Sequence, residues 1–290
     1  MWHMQVRLLV WVLVLTSAAA LLPISSQSQE IRPVTIRFRV VVGNEPFACG
    51  ASYSNIGITR STITPSDFRF YVHNIRLLDG MNNAVPVQLD QDEMWQLEHL
   101  ALLDFENGAG PCLNGTPELR DIVTGHVPAG HYRGIQFTVG VPFERNHRDP
   151  LTQPSPLNIS SMFWVWNVGY KFLRLDMRTT GLPRGAAVHL GSTNCTPNDT
   201  ALTVPTRCAN PNRPEITLLD FDPDSHLIVA DLKALLDGVN VDVNQSGAAL
   251  CESSPNDTDC ARIFHNLGLP FRGVASSGQT LFRVEPVPRS

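Results

Sequence analysis

Two tryptophans two positions apart, Trp164 and Trp166, stand in the stretch Met162 to Arg174, and a histidine, His189, follows in the segment Val188 to Cys195. Indoles at this spacing share one face if the run is an unbroken strand, so the sequence predicts two large aromatic surfaces side by side. One buried indole is an ordinary core anchor that needs a single partner for its N–H. A second asks for more than packing, and a stacking platform is one such use. Imidazoles are the metal ligands at hand. His189 lies beyond the turn Gly181 to Gly185, so a hairpin returns it to the same sheet, and His147 opens the loop that leads into the tryptophan run. The structural alternatives are a loop histidine at 147 and a hydrogen-bonded sheet residue at 189. Met94, Met162 and Met177 offer thioethers, but core packing is the favoured reading of them.

The six cysteines, Cys49, Cys112, Cys195, Cys208, Cys251 and Cys260, show no C-x-x-C spacing, which argues against a zinc ribbon or a thioredoxin-like site. Their even number suits disulfides. Short separations favour Cys195–Cys208 and Cys251–Cys260, leaving Cys49 with Cys112 among about 15 possible connectivities. With thiolates consumed, soft metal ligands must come from histidine or methionine. No G-x-S-x-G, H-E-x-x-H, Walker or G-x-G-x-x-G motif occurs, so the commonest hydrolase, protease and nucleotide readings lack their geometry. Asp67, Asp104 and Glu106 could form a carboxylate pair, but as strand-end residues they read as solvated.

The elements that position these residues read as all-β, a sandwich or barrel-like arrangement of antiparallel sheets with a short C-terminal helical appendage. Twenty glycines and 22 prolines with 17% charged residues suit many turns. Strands are expected at Val34–Val42, Asp67–Leu78, Val85–Leu89, Ile135–Phe143 and through the tryptophan run, while the apolar run from Trp95 fits strand or helix and is read as a strand ending at the Asn107-Gly108 turn. Pro150 to Asn158 reads as a surface loop. Asp224-Ser225 can cap a helix from His226 to Asp237, and a second helical turn fits Ala261 to Leu267. A net charge of −5 without a basic stripe excludes nucleic acid as a partner.

The leader carries one arginine, Arg7, before an apolar run from Leu8 to Leu22 with small residues at Ser17 to Ala20. That is the pattern of a secretory signal over residues 1–26, followed by one β domain over 33–290 and a periplasmic or secreted destination. No later apolar run reaches the length of about 20 residues that a membrane span requires.

Several ordered segments resemble the MbnP family. They are Asp67-Phe68-Arg69-Phe70-Tyr71-Val72, Leu102-Leu103-Asp104-Phe105-Glu106, Gly140-Val141-Pro142-Phe143 with Asn146-His147, Met162-Phe163-Trp164 with Gly169-Tyr170-Lys171-Phe172, and His189 to Thr193 with Cys195. The resemblance implies an exported copper-binding protein with no catalytic activity of its own. It implies a partner, a diheme c-type protein of the MbnH kind, that oxidises a tryptophan to kynurenine. The amine so formed, with histidines, would hold Cu(I). On this reading His189 and His147 are the imidazole ligands, and Trp164 or Trp166 is modified ahead of Trp95. His73 stands where the family more often has a small polar residue. The alternative is a carbohydrate-binding or adhesin-like sandwich that uses the paired tryptophans for stacking.

Overall fold

The computed structural model describes residues 1–2, 30–165, 168–197, 203–247 and 250–288. The expected signal segment lies outside them apart from its first two residues. The fold is all-β. The first strand, Ile31–Val42, alternates buried and open positions through Val34, Ile36, Phe38 and Val40, as a strand covered on one face must. Its first half pairs antiparallel with Ile122–Pro128, and its second half pairs parallel with His226–Asp231. Phe282–Pro286 closes that side.

The second sheet is built on one long strand, Ser61–Asp79, which changes partner along its length. Ile63 to Phe70 pair with Leu173–Thr179, and Val72 to Asp79 with Tyr132–Val139. The exchange falls at Tyr71, whose N–H donates to the Phe172 carbonyl and whose carbonyl accepts from Gly140 N–H. The segments after Val139 and before Leu173 therefore meet there, which brings His147 and Trp164 into one region. Between the sheets, Phe38, Phe70, Phe137 and Phe282 pack in a ring of contacts with centroids 5.3–6.0 Å apart. Each fully buried side chain of this kind contributes roughly 1.5–3 kcal/mol.

The disulfides are Cys49–Cys112, Cys195–Cys208 and Cys251–Cys260, as the spacing favoured, and no cysteine is free. Cys49–Cys112 spans 63 positions, so closing that loop removes the most unfolded-state entropy, about 4 kcal/mol in the chain-entropy account.

Three expected elements differ. His226 to Asp231 is a strand, not the start of a helix: it pairs with Phe38–Val41 along one edge and with Phe282–Pro286 along the other, and Leu227 to Asp231 are all buried, so the continuous apolar run is that of an interior strand. The helix is only Leu232–Leu235, capped by the Asp231 carboxylate. The Pro150–Asn158 loop is partly interior: Leu157 is fully buried, and the Pro156 and Leu157 carbonyls accept from the hydroxyls of Tyr71 and Tyr170. The third is the tryptophan run, described below. The helical turn near the C-terminus forms over Cys260–Asn266. Among the described residues no helix is long and apolar enough to cross a membrane.

Candidate metal centre

The hairpin around His189 forms as its turn implied. Leu173–Thr179 and Ala186–Leu190 pair antiparallel with Arg174 opposite His189. Leu250–Cys251 adds in parallel on the far side, and the disulfide to Cys260 fastens it. Ser253 Oγ donates to the His189 carbonyl at 2.8 Å and accepts from Gly191 N–H at 3.0 Å. The histidine backbone is thus held from both edges, and its side chain is buried.

Phe163–Val165 and Val168–Tyr170 are not strand but the two arms of a tight turn, which corrects the strand expectation at these residues. Phe163 bridges Tyr170, and Val165 O accepts from Gly169 N–H at 2.7 Å. Gly169 adopts φ +90, and a Cβ there would come within 2.4 Å of the Asn146 carbonyl. Asn146 completes the clamp: its Oδ1 accepts from Tyr170 N–H and its Nδ2 donates to Val168 O. These side-chain bonds substitute for a sheet ladder. Trp166 falls outside the described residues.

Trp164 is partly buried and lies over Gly191, where any Cβ would sit 2.4 Å from the indole Cζ3. Its ring centroid is 6.0 Å from that of His189, and Lys171 Nζ is 5.9 Å from the indole. Glycine at 191 thus opens the space in which the indole reaches the histidine.

His189 lies between two carboxylates, with Nε2 2.6 Å from Asp176 Oδ1 and Nδ1 3.1 Å from Glu252 Oε1. The polar chain continues inward. Arg174 joins Asp176 to Asp67, and Asp67 pairs with Arg69 through two bonds. Arg174 and Lys171 both donate to the Ser161 carbonyl, which ties the tryptophan loop to this network. Burial pushes the Asp176 carboxyl up, but the His189 hydrogen bond and the His189 and Arg174 charges outweigh it and hold it at about 2. Burial pushes Asp104 up to about 7 and raises Glu106, whose Oε2 is buried without a partner. Asp67, Asp104 and Glu106 are therefore interior groups at 0–1% exposure, where the sequence reading had them solvated.

These two aspartates act on stability in opposite senses. Asp176, depressed in the fold, contributes stability that is present above pH 3.8 and lost as pH falls towards 2. Asp104, raised in the fold, contributes stability present below pH 3.8 that is lost as pH rises through about 7. Urea unfolding from pH 4 to 8 should therefore show a falling limb that Asp104→Asn flattens; an identical slope in both proteins would contradict the interior placement of that charge.

His147 is also buried, with Nε2 3.1 Å from Asn146 Nδ2 and 3.4 Å from Cys208 Sγ, and its ring packs on Phe143. It groups with Cys195 and Cys208, but both sulfurs are spent in a disulfide; the same holds for Glu106 with Cys49 and Cys112. Among the described residues no such group of three ligand atoms contains both His147 and His189. His73 gives its Nδ1 to the Gly140 carbonyl at 2.8 Å, and burial lowers it to about 4. Trp95 is buried elsewhere, with its backbone on the Asp92 carboxylate.

The profile of the MbnP family matches residues 31–253. The chain belongs to the MbnP family. It is similar in structure to MbnP from Methylosinus trichosporium, with a TM-score of 0.80 and 30% identity over 89% of this chain and 100% of that one. No curated protein matches it. The family span reaches Ser253, so it includes Trp164, Asp176, His189 and Glu252, and leaves Cys260 outside. Asp176 and Glu252 escaped the sequence reading, while Asn146 and Lys171 stood in the resembling segments without a role assigned to them. Only the tight spacing Lys171, Arg174, Asp176 beside the tryptophan run hinted at a charged site.

Proposed function

We propose that this MbnP-family protein is an exported, single-domain copper-binding protein and that Trp164 is converted to kynurenine by a diheme c-type partner of the MbnH kind. The observation that carries this reading is the Trp164 indole lying over Gly191, 6.0 Å from His189. Kynurenine formation opens the pyrrole ring of the indole and leaves an aniline nitrogen on the same side chain. Imidazole plus neutral amine is a donor set that suits Cu(I) where thiolates are paired off.

The residues fit copper in one respect and constrain it in another. His189 is the imidazole beside the modified side chain, while each of its nitrogens already faces a carboxylate. His189 would hold the copper, the Asp176 hydrogen bond would orient its ring, and Glu252 is the more open of the two carboxylates. His147 belongs to the supporting structure on this reading: with Asn146 it anchors the tryptophan loop. The chain itself is the substrate of the modification and not its catalyst. Three disulfides accord with a periplasmic or extracellular site of action.

The test is peptide mapping after co-expression with an active diheme partner and peroxide. The peptide holding Trp164 should gain one oxygen and lose one carbon, while that of Trp95 stays unchanged. A map in which Trp164 is intact and Trp95 or Trp166 carries the change would move the site.

A further inference from the structure

Away from His189, a cavity of about 260 Å³ opens beside Trp95. Two of its lining side chains, Arg69 and Asp104, are 1% exposed. Such groups are normally engaged by the protein itself. Arg69 uses Nε and Nη2 on Asp67, which leaves Nη1 as a donor for the cavity. Asp104 Oδ1 accepts from Glu106 N–H, which leaves Oδ2 to accept a hydrogen bond when the carboxyl is ionised and to donate one when it is protonated. Arg69 and Asp104 are opposite each other on adjacent strands and both line the cavity, Trp95 adds an indole to its lining, and Asn114, Ser155 and Asn158 supply neutral polar groups.

The charges decide the ligand class. Arg69 is paired with the Asp67 carboxylate, so the cavity offers no free cation to an anionic ligand, and burial raises the Asp104 carboxyl above the usual carboxylate range. Among the described residues Asp67, Asp104 and Glu106 form no group of ligand atoms close enough to share a metal. We infer that the cavity beside Trp95 binds a neutral hydroxylated molecule of monosaccharide size, with a C–H face on the indole and adjacent hydroxyls on Arg69 Nη1 and Asp104 Oδ2. The volume lies just below that of pockets for larger organic ligands. This site is independent of the copper reading and differs from a stacking platform at Trp164 and Trp166.

The experiment titrates the copper-free, disulfide-bonded protein with glucose, galactose and mannose, followed by saturation-transfer NMR and calorimetry, with gluconate as the anionic control. At least one sugar should bind saturably with a dissociation constant of roughly millimolar or tighter. Gluconate should bind at least tenfold more weakly. Asn158→Leu, at an exposed position, and Asp104→Leu, at a buried one, should each weaken the sugar about tenfold, the loss expected from one well-placed polar contact. No saturable binding of any of the three sugars at tens of millimolar overturns the inference. So does gluconate binding as tightly as the sugar, or unchanged binding in Asn158→Leu, which folds whether or not the deeper variant does.

Discussion

Replacing His189 by alanine is expected to weaken Cu(I) binding by more than about 100-fold in the modified protein, beyond the range typical for losing a residue that merely orients a ligand. The motive is the placement of the ring beside Trp164 and between Asp176 and Glu252. Asp176→Asn keeps the volume and one acceptor but loses the charge that orients the imidazole, so it should cost about 10–100-fold. His131→Ala is the control, since His131 is exposed. His226, which the sequence suggested as a surface residue on a helix, is unsuitable because its Nδ1 accepts from Asp222 N–H at a strand end. An anaerobic competition titration measures all three. Equal affinities for wild type and His189→Ala, with disulfides intact, would remove this histidine from the site.

The second large effect is on stability. Asp67 is the shared carboxylate of Arg69 and Arg174, at 0% exposure, with Arg69 at 1%. Asp67→Ala leaves a buried guanidinium with its main partner gone, and breaking a buried pair in this way costs about 3–5 kcal/mol. Replacing Asp67 and Arg69 together by leucine and methionine should cost much less, because desolvation of both charges is then avoided. Urea denaturation decides between them. A loss under about 1 kcal/mol for Asp67→Ala would show that the network tolerates an unpaired arginine, contrary to its burial.

The sequence was most informative where local chemistry determines structure. Alternation located Ile31–Val42 and the long strand through Phe68, Phe70 and Val72, and cysteine separation found the two local disulfides and, by remainder, the third. The Gly181 to Gly185 turn was enough to return His189 beside Arg174. Long-range partners were not legible. The tryptophan run has strand composition, but Asn146, 24 positions from Tyr170, captures its backbone and bends it. His226 to Asp231 has the apolar density of a helix face, and its two neighbours, Phe38–Val41 and Phe282–Pro286, make it a strand. Asp67 looked solvated because Arg174, its second partner, lies in a distant strand. Glu252, likewise, comes to His189 only through a parallel strand addition.

The central claim joins Trp164 to the copper site, and the most direct measurement is Cu(I) affinity of Trp164→Phe protein co-expressed with the diheme partner. Phenylalanine retains an aromatic ring over Gly191 but cannot yield an amine, so the account predicts loss of the high-affinity site in this variant, while wild type carrying the mapped modification at Trp164 retains it. Trp164→Phe protein that binds Cu(I) as tightly as modified wild type would contradict it.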